Sequence, residues 1–567
     1  MGLYAGYSDM VLHNLPVDVM VLRVTKQSHL EPFQSILCGA PAGAISAFVT
    51  MSLDVVKTQL MTHMLFGFGV LRLRNREACE SEYCFFYMAM SSSEPVVHVA
   101  FLASAGMGHL NPCLRIATLF LRHGCKVTLI TPKPTVSLAE SNLISRFCSS
   151  FPHQVTQIDL NLVTLDPTTA NTKDPFWVQY GTIRRSLHLL LPIISSLPTP
   201  LSAFIYDCFL VTPLFPITEK LSCPCYIYFT SAARMLSLFS HVPVLAASNP
   251  SSHEHLSSFI GEEISIPGIA SPIPRSSLPP LLLHPNSLFE RMIMEDSPKL
   301  SKLNGIFINS FEKFEGEALA ALNEGKVAKG LPPVYGVGPI KAWEFENVEE
   351  SQRGYMGPIL KWLDEKSEGS VVYVSLGSKT ETRVEQIKDM ALGLIESGYS
   401  FLWVVKLKMV DKEEEEDLED VLGSELMSEV REKGLVVKVF VDQMGILGHP
   451  SVGGFVSHGG WNSIIESVWE GVPIMTWPQG GDQKITSEVV RISGVGVWPQ
   501  EWGWGSQDVV KGNEIANRIK EVMTNESFRV KAAEMKKAAR EAAGVGGSCE
   551  VIVKKLIEEW KRNVQAT

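Results

Sequence analysis

Residues 455–473, FVSHGGWNSIIESVWEGVP, predict a buried strand, a polar turn and a helix in immediate succession. We call residues 458–463 the elbow. A helix start exposes unpaired N–H groups at the positive end of the helix dipole, and it is therefore a favourable anion site. Helix capping would explain the Asn and Ser at this point. It does not explain the adjacent His-Gly-Gly-Trp, nor Glu466 one turn further along the same helix face. The pattern therefore indicates a nucleotide site, with a diphosphate at the elbow and ribose hydroxyl groups at Glu466.

The sequence around the elbow alternates strands and helices in two series. The first series begins with the apolar run VVHVAFLAS (96–104), followed by a glycine-rich loop, a helix and a second strand at 126–132. The second series begins with SVVYVSLGS (370–378) and continues through FLWVV (401–405) to the strand before the elbow. Continuous apolar strands separated by helices are typical of parallel sheets that are covered on both faces. We therefore predict an α/β fold of two facing Rossmann-like, doubly wound domains, with a ligand cleft between the carboxyl ends of their strands.

The length of the chain supports more than one domain. It has 567 residues, and a single hydrophobic core rarely extends beyond roughly 250–300 residues. The polar, aperiodic stretch KAWEFENVEESQRG is the best candidate for the connection between two cores. The expected divisions are an unrelated extension at 1–87, an N-terminal domain at 88–340, a linker at 341–365, a C-terminal nucleotide-binding domain at 366–548 and a closing helix at 549–567.

The front of the chain does not resemble the two predicted domains. Its run from 32 to 53 carries no charge and is long enough to cross a bilayer on length alone. The stretch ILCGAPAGAISAFVTMSLDVVKTQLMT (36–62) resembles one repeat of the mitochondrial carrier family. Asp54 and Lys57 match the signature of that family, but Ser52 stands in place of its proline. That family needs several membrane helices, and the downstream sequence supplies no others. We therefore expect an artefactual or poorly ordered extension, with a membrane anchor as the alternative.

Charge and cysteine usage restrict the partners. The formal net charge is -11 and no Lys/Arg-rich run occurs, which argues against nucleic acid because phosphate binding needs basic patches. The ten cysteines form no CxxC pair and no zinc-like spacing, which favours a reducing compartment. The sequence contains no Asp-x-Asp pair, which metal-dependent sugar-nucleotide enzymes often use. We therefore expect a monomeric, cytoplasmic protein that uses no metal, no nucleic acid and no obligatory protein partner.

A longer stretch around the elbow carries a family resemblance. FVDQMGILGHPSVGGFVSHGGWNSIIESVWEGVPIMTWPQGGDQ (440–483) resembles, without a gap, the signature box of the plant UDP-dependent glycosyltransferases of family 1. The resemblance extends over residues 90–567 and implies a GT-B fold, UDP-glucose as donor substrate, and no metal or other cofactor. The donor-binding residues that it implies are Phe440 and Gln443 at the uracil, Ser378, His458, Trp461, Asn462 and Ser463 at the phosphates, Glu466 at the ribose, and Asp482 and Gln483 at the sugar.

The box departs from the family pattern at two places. Phe440 stands where the family usually has a tryptophan that stacks on uracil, and a phenyl ring stacks with less area. Gly480 and Gly481 stand where a bulkier residue is common, which would loosen the sugar pocket. Gln483, at the last position of the box, is associated in this family with glucose donors. The resemblance therefore implies a glucose preference.

The loop after the first strand supplies the candidate base. His109 in GMGHLNP lies at the carboxyl end of a predicted strand, where it would face the cleft. A neutral imidazole can take a proton near pH 7. Taken alone, such a histidine is more often structural, but in the family pattern it matches the general base. Asp207, which ends FIYD, matches the carboxylate that orients this base. The implied reaction is direct displacement with inversion, in which the acceptor attacks the anomeric carbon and UDP leaves.

Further stretches narrow the resemblance to the acceptor class. HVAFLASAGMGHLNP, SPIPRSSLPP (271–280) and EWGWGSQDVVKG (501–512) resemble plant C-glucosyltransferases that act on flavonoid precursors. The implied acceptors are small phenolics, namely 2-hydroxyflavanones, dihydrochalcones or benzophenones. Deprotonation of such a phenol delocalises charge onto the ortho ring carbon, so carbon can attack. Cys208 follows Asp207 where this group frequently has isoleucine. Arg275 would steer an acidic phenol or form a surface salt bridge.

Two other enzyme activities compete with C-glucosylation. An O-glucosyltransferase acting on the same phenolics would use the same base with a different acceptor pose. A nicotinamide-dependent oxidoreductase would share the Rossmann-like pattern, but SAGMGHLNP lacks the third glycine of the GxGxxG turn. The sequence therefore favours a glucosyltransferase and leaves the choice between C- and O-glucosylation open.

Overall fold

The computed structural model describes residues 96–164, 175–249, 255–346, 350–377, 383–405, 417–438, 441–505 and 507–566. Residues Pro95–Thr567 form one compact unit. The predictions for the extension at 1–87, for Ser378 and for Phe440 lie outside the described residues. Among the described helices, none combines the length and the apolar composition that a bilayer crossing requires.

The N-terminal part is built on a parallel sheet. Its strands are β1 (His98–Leu102), β2 (Lys126–Lys133), β3 (Val155–Asn161), β4 (Ala203–Asp207), β5 (Cys225–Phe229), β6 (Glu263–Ile264), β7 (Ile273–Pro274), β8 (Gly305–Ile308) and β9 (Val334–Gly336). The sheet order is β3-β2-β1-β4-β5-β8-β9, whereas β6 and β7 pair as a short antiparallel hairpin. The helices of this part are α1 (Met107–Arg122), α2 (Leu138–Ser150), α3 (Pro175–Ser186), α4 (Leu190–Ser195), α5 (Val211–Thr218), α6 (Ala233–Ala247), α7 (Leu256–Phe259), α8 (Leu288–Asp296) and α9 (Glu312–Asn323).

The C-terminal part repeats this architecture. Its strands are β10 (Val371–Ser375), β11 (Ser400–Val404), β12 (Gly434–Val437), β13 (Val452–Ser457), β14 (Ile474–Thr476) and β15 (Gly496–Val497). They pair in parallel in the order β12-β11-β10-β13-β14-β15. The helices are α10 (Glu350–Asp364), α11 (Val384–Ser397), α12 (Leu418–Leu422), α13 (Ser424–Lys433), α14 (Gln443–Leu447), α15 (Trp461–Glu470), α16 (Gln483–Ser493), α17 (Gly512–Thr524), α18 (Glu526–Ala543) and α19 (Ser548–Ala566).

The central strands β1 and β4 are buried along their whole length and are mostly apolar, because both sheet faces are covered. In β1, Ala100 and Leu102 belong to one hydrophobic core, and the alternating residues Val99 and Phe101 belong to another on the opposite face. Such double burial is the condition under which parallel sheets occur. The predicted α/β fold, with two Rossmann-like parallel sheets, is confirmed.

The structure differs from the predicted linker. Helix α10 occupies most of the region at 341–365, although Pro358 in its interior obscures the helical pattern. Ile359 and Leu363 are buried in the core of the C-terminal sheet. The helix therefore packs as part of the C-terminal domain, and the connection that precedes it is shorter than expected.

The closing helix returns to the N-terminal sheet. In α19 the Trp560 indole Nε1 donates a hydrogen bond to the Tyr226 hydroxyl at 2.9 Å. Near its start, the Cys549 thiol donates to the Val337 carbonyl at 2.8 Å. The last helix therefore packs against the N-terminal domain although it follows the C-terminal domain in the chain, and it links the two domains.

Asp296, at the end of α8, is a buried carboxyl with incomplete hydrogen bonding. Its Oδ1 accepts from the Thr212 backbone N–H at 2.9 Å. Its Oδ2 has no hydrogen-bond partner among the described residues, and the Arg184 Nη1 lies 3.9 Å away. Burial raises the pKa of Asp296 to about 6, above the ordinary value of 3.8. The folded protein therefore holds this proton more tightly than the unfolded chain does.

We expect Asp296→Asn to stabilise the protein at neutral pH. Because the folded pKa is raised, the ionised carboxyl lowers the free energy of unfolding progressively as pH rises from about 4 to 6. The amide avoids that loss, so the gain should reach about 1–3 kcal/mol at pH 8 and disappear near pH 4. Urea unfolding at both pH values measures it. Glu295→Gln, the exposed neighbour that also contacts Arg184, is the control. An equal effect of Asp296→Asn at both pH values would contradict the prediction.

Candidate active site

The candidate base and its carboxylate meet because their strands are neighbours. His109 lies in the first turn of α1, directly after β1, and Asp207 is the last residue of β4, which pairs with β1 in parallel. The His109 Nδ1 lies 2.7 Å from the Asp207 Oδ2. This contact occupies Nδ1, so Nε2 is the ring nitrogen that can take a substrate proton. The structure thus brings the two sequence-predicted residues together.

The environment of Asp207 keeps its carboxyl ionised. Burial opposes ionisation of this fully buried group, but the charge and hydrogen bond of His109 and the Phe209 backbone N–H outweigh it, so the pKa of Asp207 is lowered. The Phe209 N–H donates to the Asp207 Oδ1 at 2.8 Å. A fixed carboxylate in this position holds the imidazole orientation and stabilises the imidazolium that forms when the base takes a proton.

Aromatic side chains surround the candidate base. The ring centroid of His109 lies 4.6 Å from that of Phe209 and 5.6 Å from that of Phe176. Trp177 stacks against Phe209 at 6.3 Å with an interplanar angle of 11°. Sequence reasoning missed this wall, because its members come from α3 and from the turn after β4. It can pack against a planar, apolar ring placed beside the base.

The elbow has the predicted strand–turn–helix geometry. Strand β13 ends at Ser457, and α15 begins at Trp461 after the N-cap residue Gly460. The His458 ring lies between two glycines: an added Cβ would approach it to 2.9 Å at Gly377 and 2.5 Å at Gly460. Burial lowers the pKa of His458 to about 4, so its imidazole is neutral. Its Nδ1 has no partner among the described residues. A neutral ring at a helix start can donate one N–H to an anion.

The Trp461 ring does not lie at the surface of the elbow. Its indole Nε1 donates to the Asn309 carbonyl at 2.9 Å, and its ring stacks on Phe314 with centroids 5.6 Å apart. The side chain is therefore packed in the seam between the two sheets, and only the backbone N–H remains for phosphates. Asn462 and Ser463 follow in the first helical turn, as the sequence predicted, and both are half-buried.

The candidate uracil and ribose residues form one hydrogen-bonded group. The Gln443 Nε2 donates to the Glu466 Oε2 at 2.7 Å and to the Ser463 Oγ at 3.1 Å. The other oxygen of Glu466, Oε1, accepts from the Arg115 Nη2 at 2.6 Å. Arg115 was missed in the sequence, although a charged residue on the buried face of a helix is rare without a partner. Gln443, Ser463 and Glu466, which the sequence placed at the donor, thus form one hydrogen-bonded group. Arg115, which the sequence did not place there, also belongs to this group.

The candidate sugar-binding residues open α16. The Asp482 carboxylate accepts from the Ser231 hydroxyl of the N-terminal domain. Burial raises the pKa of Asp482, and the charge of His109 is near enough to act in the opposite direction. The candidate base and the expected sugar position are therefore close enough to interact electrostatically.

Gln483, the last residue of the box, folds back on the loop before α16. Its Oε1 accepts from the backbone N–H groups of Gln479 at 2.7 Å and Gly480 at 3.1 Å. An added Cβ at Gly480 or Gly481 would meet nothing within 4 Å, in agreement with the loosened pocket that the sequence suggested. The loop therefore leaves open space beside the expected sugar position.

The guanidinium of Arg275 forms no salt bridge among the described residues. Its guanidinium donates to two backbone carbonyls, those of Ile260 and, at 2.9 Å, Ser257. The side chain thus fastens the segment around β6 and β7. The expected surface salt bridge is replaced by these carbonyl contacts within the same domain, and the steering of an acidic phenol stays a prediction.

The described residues bring three potential metal ligands together at the base. The ligand atoms of His109, Asp207 and Cys208 all lie within 4.8 Å of one another. The thiolate is the form that binds metals, and burial raises the pKa of the Cys208 thiol well above its ordinary value. Cys208 therefore remains a protonated thiol in this environment, which is a poor metal ligand.

Comparisons with known proteins place this geometry in a family. The family described as "UDP-glucoronosyl and UDP-glucosyl transferase" matches residues 358–540, and the family described as "Mitochondrial carrier protein" matches residues 28–67. UDP-glycosyltransferase 708D1 of Glycine max is 71% identical over 481 residues, which cover 84% of this chain and 100% of that relative. UDP-glycosyltransferase CGT of Oryza sativa subsp. japonica is 40% identical over 80% of this chain and 93% of its own length.

Solved structures agree with the sequence relatives. The crystal structure of LpCGTa in complex with UDP has a TM-score of 0.71 at 39% identity and covers 82% of this chain and 99% of that one. Medicago truncatula UGT71G1 complexed with UDP-glucose has a TM-score of 0.71 at 28% identity, covering 83% and 100%. The chain therefore belongs to the family 1 UDP-glycosyltransferases: it is a glycosyltransferase of GT-B fold that uses a UDP-sugar.

Proposed function

We propose that the protein is an inverting, UDP-glucose-dependent C-glucosyltransferase that forms β-C-glucosides of small phenolic acceptors without a metal or other cofactor. The observation that carries this proposal is the His109–Asp207 pair, 2.7 Å apart and within electrostatic reach of Asp482 of the opposite domain. A base on one wall of the cleft and a sugar-binding carboxylate on the other are what a single displacement step requires.

In the proposed step, His109 takes the proton of an acceptor phenol through Nε2 while Asp207 stabilises the resulting imidazolium. The phenolate delocalises its charge onto the ortho carbon, which attacks the anomeric carbon of glucose and forms the new C–C bond. The bond between the anomeric carbon and the UDP oxygen breaks on the opposite face, so the α-linked donor gives a β-product. The ortho proton then passes through solvent to the ring oxygen, which restores the aromatic phenol, and His109 releases its proton to solvent. The charge that appears on UDP is stabilised by N–H groups and the dipole at the start of α15.

The proposed donor-binding roles are those that the resemblance of residues 440–483 implies. Gln443 lies at the uracil, Glu466 at the ribose, His458 with Asn462 and Ser463 at the phosphates, and Asp482 with Gln483 at the glucose. Trp461 contributes its backbone N–H, since its indole is bonded to Asn309. Ser378 at the phosphates and Phe440 at the uracil belong to this proposal on the sequence resemblance alone.

The acceptor class rests on two kinds of support. The aromatic side chains of Phe176 and Phe209 stand beside the base and suit a planar phenolic ring. Among related structures, Phytolacca americana UGT2 is complexed with UDP-2fluoro-glucose and pterostilbene. The resemblance to plant C-glucosyltransferases, together with relatives designated CGT, favours carbon as the attacking atom.

O-glucosylation of the same phenolics is the second candidate function. Anthocyanidin 5,3-O-glucosyltransferase of a Rosa hybrid cultivar is 31% identical over 81% of this chain and 97% of its own length. The same base would serve both reactions, because removing the phenol proton activates the oxygen as well as the ortho carbon. The two functions differ only in which acceptor atom lies at the anomeric carbon.

Product chemistry separates the two candidates. We expect incubation with UDP-glucose and phloretin to give a glucoside that survives hot dilute acid, because a C–C bond to glucose is not an acetal. Mass fragmentation should show losses from within the sugar ring rather than loss of the whole hexose. Release of glucose and phloretin by acid would favour the O-glucosyltransferase. If no product formed with phloretin or with any other phenolic acceptor, both proposals would be contradicted.

A further inference from the structure

Arg115 joins three segments around the donor site. It lies on α1, less than two turns after His109, and its side chain is 3% exposed. Its Nη2 donates to the Glu466 Oε1 at 2.6 Å and to the Glu346 Oε2 at 2.8 Å. Its Nε donates to both oxygens of Glu346 at 3.0 Å. One guanidinium thus connects the helix of the base, the segment between the domains and the helix of the elbow.

This arrangement places one buried cation between two buried carboxylates. Burial raises the pKa of Glu346, Arg115 acts against that rise, and the charge of Glu466 adds to it. The planar fork of arginine suits the geometry, since it can serve two carboxylates at once. The carboxylate of Glu466 is therefore held in a fixed orientation by a residue of the opposite domain.

One nitrogen of this guanidinium takes part in none of these hydrogen bonds. The Arg115 Nη1 is buried and has no hydrogen-bond partner among the described residues. A buried, unpaired N–H of a charged group is costly, so an oxygen acceptor is the group that this position lacks. Because Nη1 and the Nη2 that binds Glu466 belong to one planar group, the missing oxygen would lie beside the carboxylate proposed for the ribose.

We propose that Arg115 is a donor-recognition residue contributed by the N-terminal domain. Its Nη1 donates to a hydroxyl oxygen of the ribose of the UDP-sugar, while its Nη2 holds Glu466 so that this carboxylate accepts the ribose O–H groups. A hydroxyl both donates and accepts, so one pair of ribose hydroxyls satisfies both residues. This inference rests on the ribose role of Glu466 in the proposed function.

The position of Arg115 also gives the contact a second effect. Arg115 follows His109 by six residues on the same helix, which corresponds to roughly 9 Å along the helix axis. Binding the ribose through Arg115 therefore fixes the helix that carries the base relative to the donor. The contact makes the spacing between imidazole and nucleotide depend on one rigid element.

The test measures recognition of the ribose hydroxyls by calorimetry. Wild-type protein, Arg115→Lys and Arg115→Gln are each titrated with UDP and with 2′,3′-dideoxy-UDP. We expect wild type to bind UDP about tenfold or more tightly than the dideoxy analogue, and both variants to lose about tenfold to a hundredfold in UDP affinity. Their affinity for the dideoxy analogue should change little, so the variants should lose the wild-type preference for UDP over this analogue. Lysine keeps a cation between the two carboxylates, and Arg115→Lys should therefore unfold near the wild-type temperature.

Arg122→Gln is the matched control. Arg122 lies on the same helix and packs over the Trp343 ring at 4.0 Å, so it contacts the same interdomain segment away from Glu466. This variant should keep the preference for UDP. The inference is overturned if Arg115→Lys folds normally and still prefers UDP as wild type does. A wild-type protein that binds both nucleotides equally would also overturn it, and one that binds neither would instead remove the proposed donor.

Discussion

Replacing His109 with alanine is expected to lower the rate of glucosyl transfer by about a hundredfold to ten-thousandfold, the usual range for loss of a general base. The Nδ1 of His109 is held by the buried carboxylate of Asp207, and Nε2 is the nitrogen that would take the acceptor proton. The elbow is untouched by this change. UDP should therefore bind with its wild-type affinity. Initial rates at saturating substrates and calorimetry with UDP measure the two quantities separately.

His123→Ala is the control for this prediction. His123 caps the end of the same helix, where its Nδ1 contacts the Leu119 carbonyl at 2.8 Å. The control therefore also replaces a histidine of α1 with alanine, but at the end of the helix that is away from the cleft. Its transfer rate should stay near that of wild type. If the His109 variant transferred glucose as fast as the His123 variant, the imidazole could not be the base, and the His109–Asp207 contact would have to be structural.

Replacing Glu466 with alanine is the second large expected effect, and it should act on the donor alone. The carboxylate is almost fully buried between Arg115 and Gln443, and it is the group proposed to accept the ribose hydroxyls. Loss of charge-assisted hydrogen bonds to these hydroxyls should raise the KM for UDP-glucose by about tenfold to a hundredfold. The KM for the phenolic acceptor should not change. Steady-state kinetics with each substrate varied in turn separate the two constants.

Glu470→Ala supplies the comparison, because Glu470 lies one turn later on the same helix. It is bonded to Arg540 at 3.2 Å on the outer side, away from the elbow. We expect its donor KM to remain at the wild-type value. An unchanged donor KM in the Glu466 variant would show that the ribose is recognised elsewhere. Equal rises in both variants would point to a general effect of disturbing α15.

The local pattern of the sequence was sufficient for the elbow. The apolar run of β13, the glycine pair and the amphipathic helix after it are adjacent in the chain, and each follows from backbone freedom, burial and helix-end polarity. The His109–Asp207 pair could also be anticipated once the strands were recognised. Asp207 ends β4 and His109 follows β1, its parallel neighbour, and the carboxyl ends of neighbouring parallel strands meet at one edge of the sheet.

Contacts between distant segments could not be anticipated in this way. The residues of the Arg115–Glu466 contact are 351 positions apart, and the residues that join Trp461 to the Asn309 carbonyl are 152 apart. Helix α10 was missed because its apolar face becomes visible only where Ile359 and Leu363 meet the C-terminal core. In each case the partner is chosen by how whole domains pack.

By itself the sequence determined the two α/β domains, the strand–turn–helix geometry of the elbow and the candidate base, since periodicity, glycine placement and strand ends are properties of short stretches. Only the tertiary structure decided that the Trp461 ring turns into the seam, that aromatic rings surround His109, and that Glu466 is held by an arginine of the other domain. Which buried polar groups become neighbours depends on the docking of the two sheets. No stretch of sequence carries that information locally.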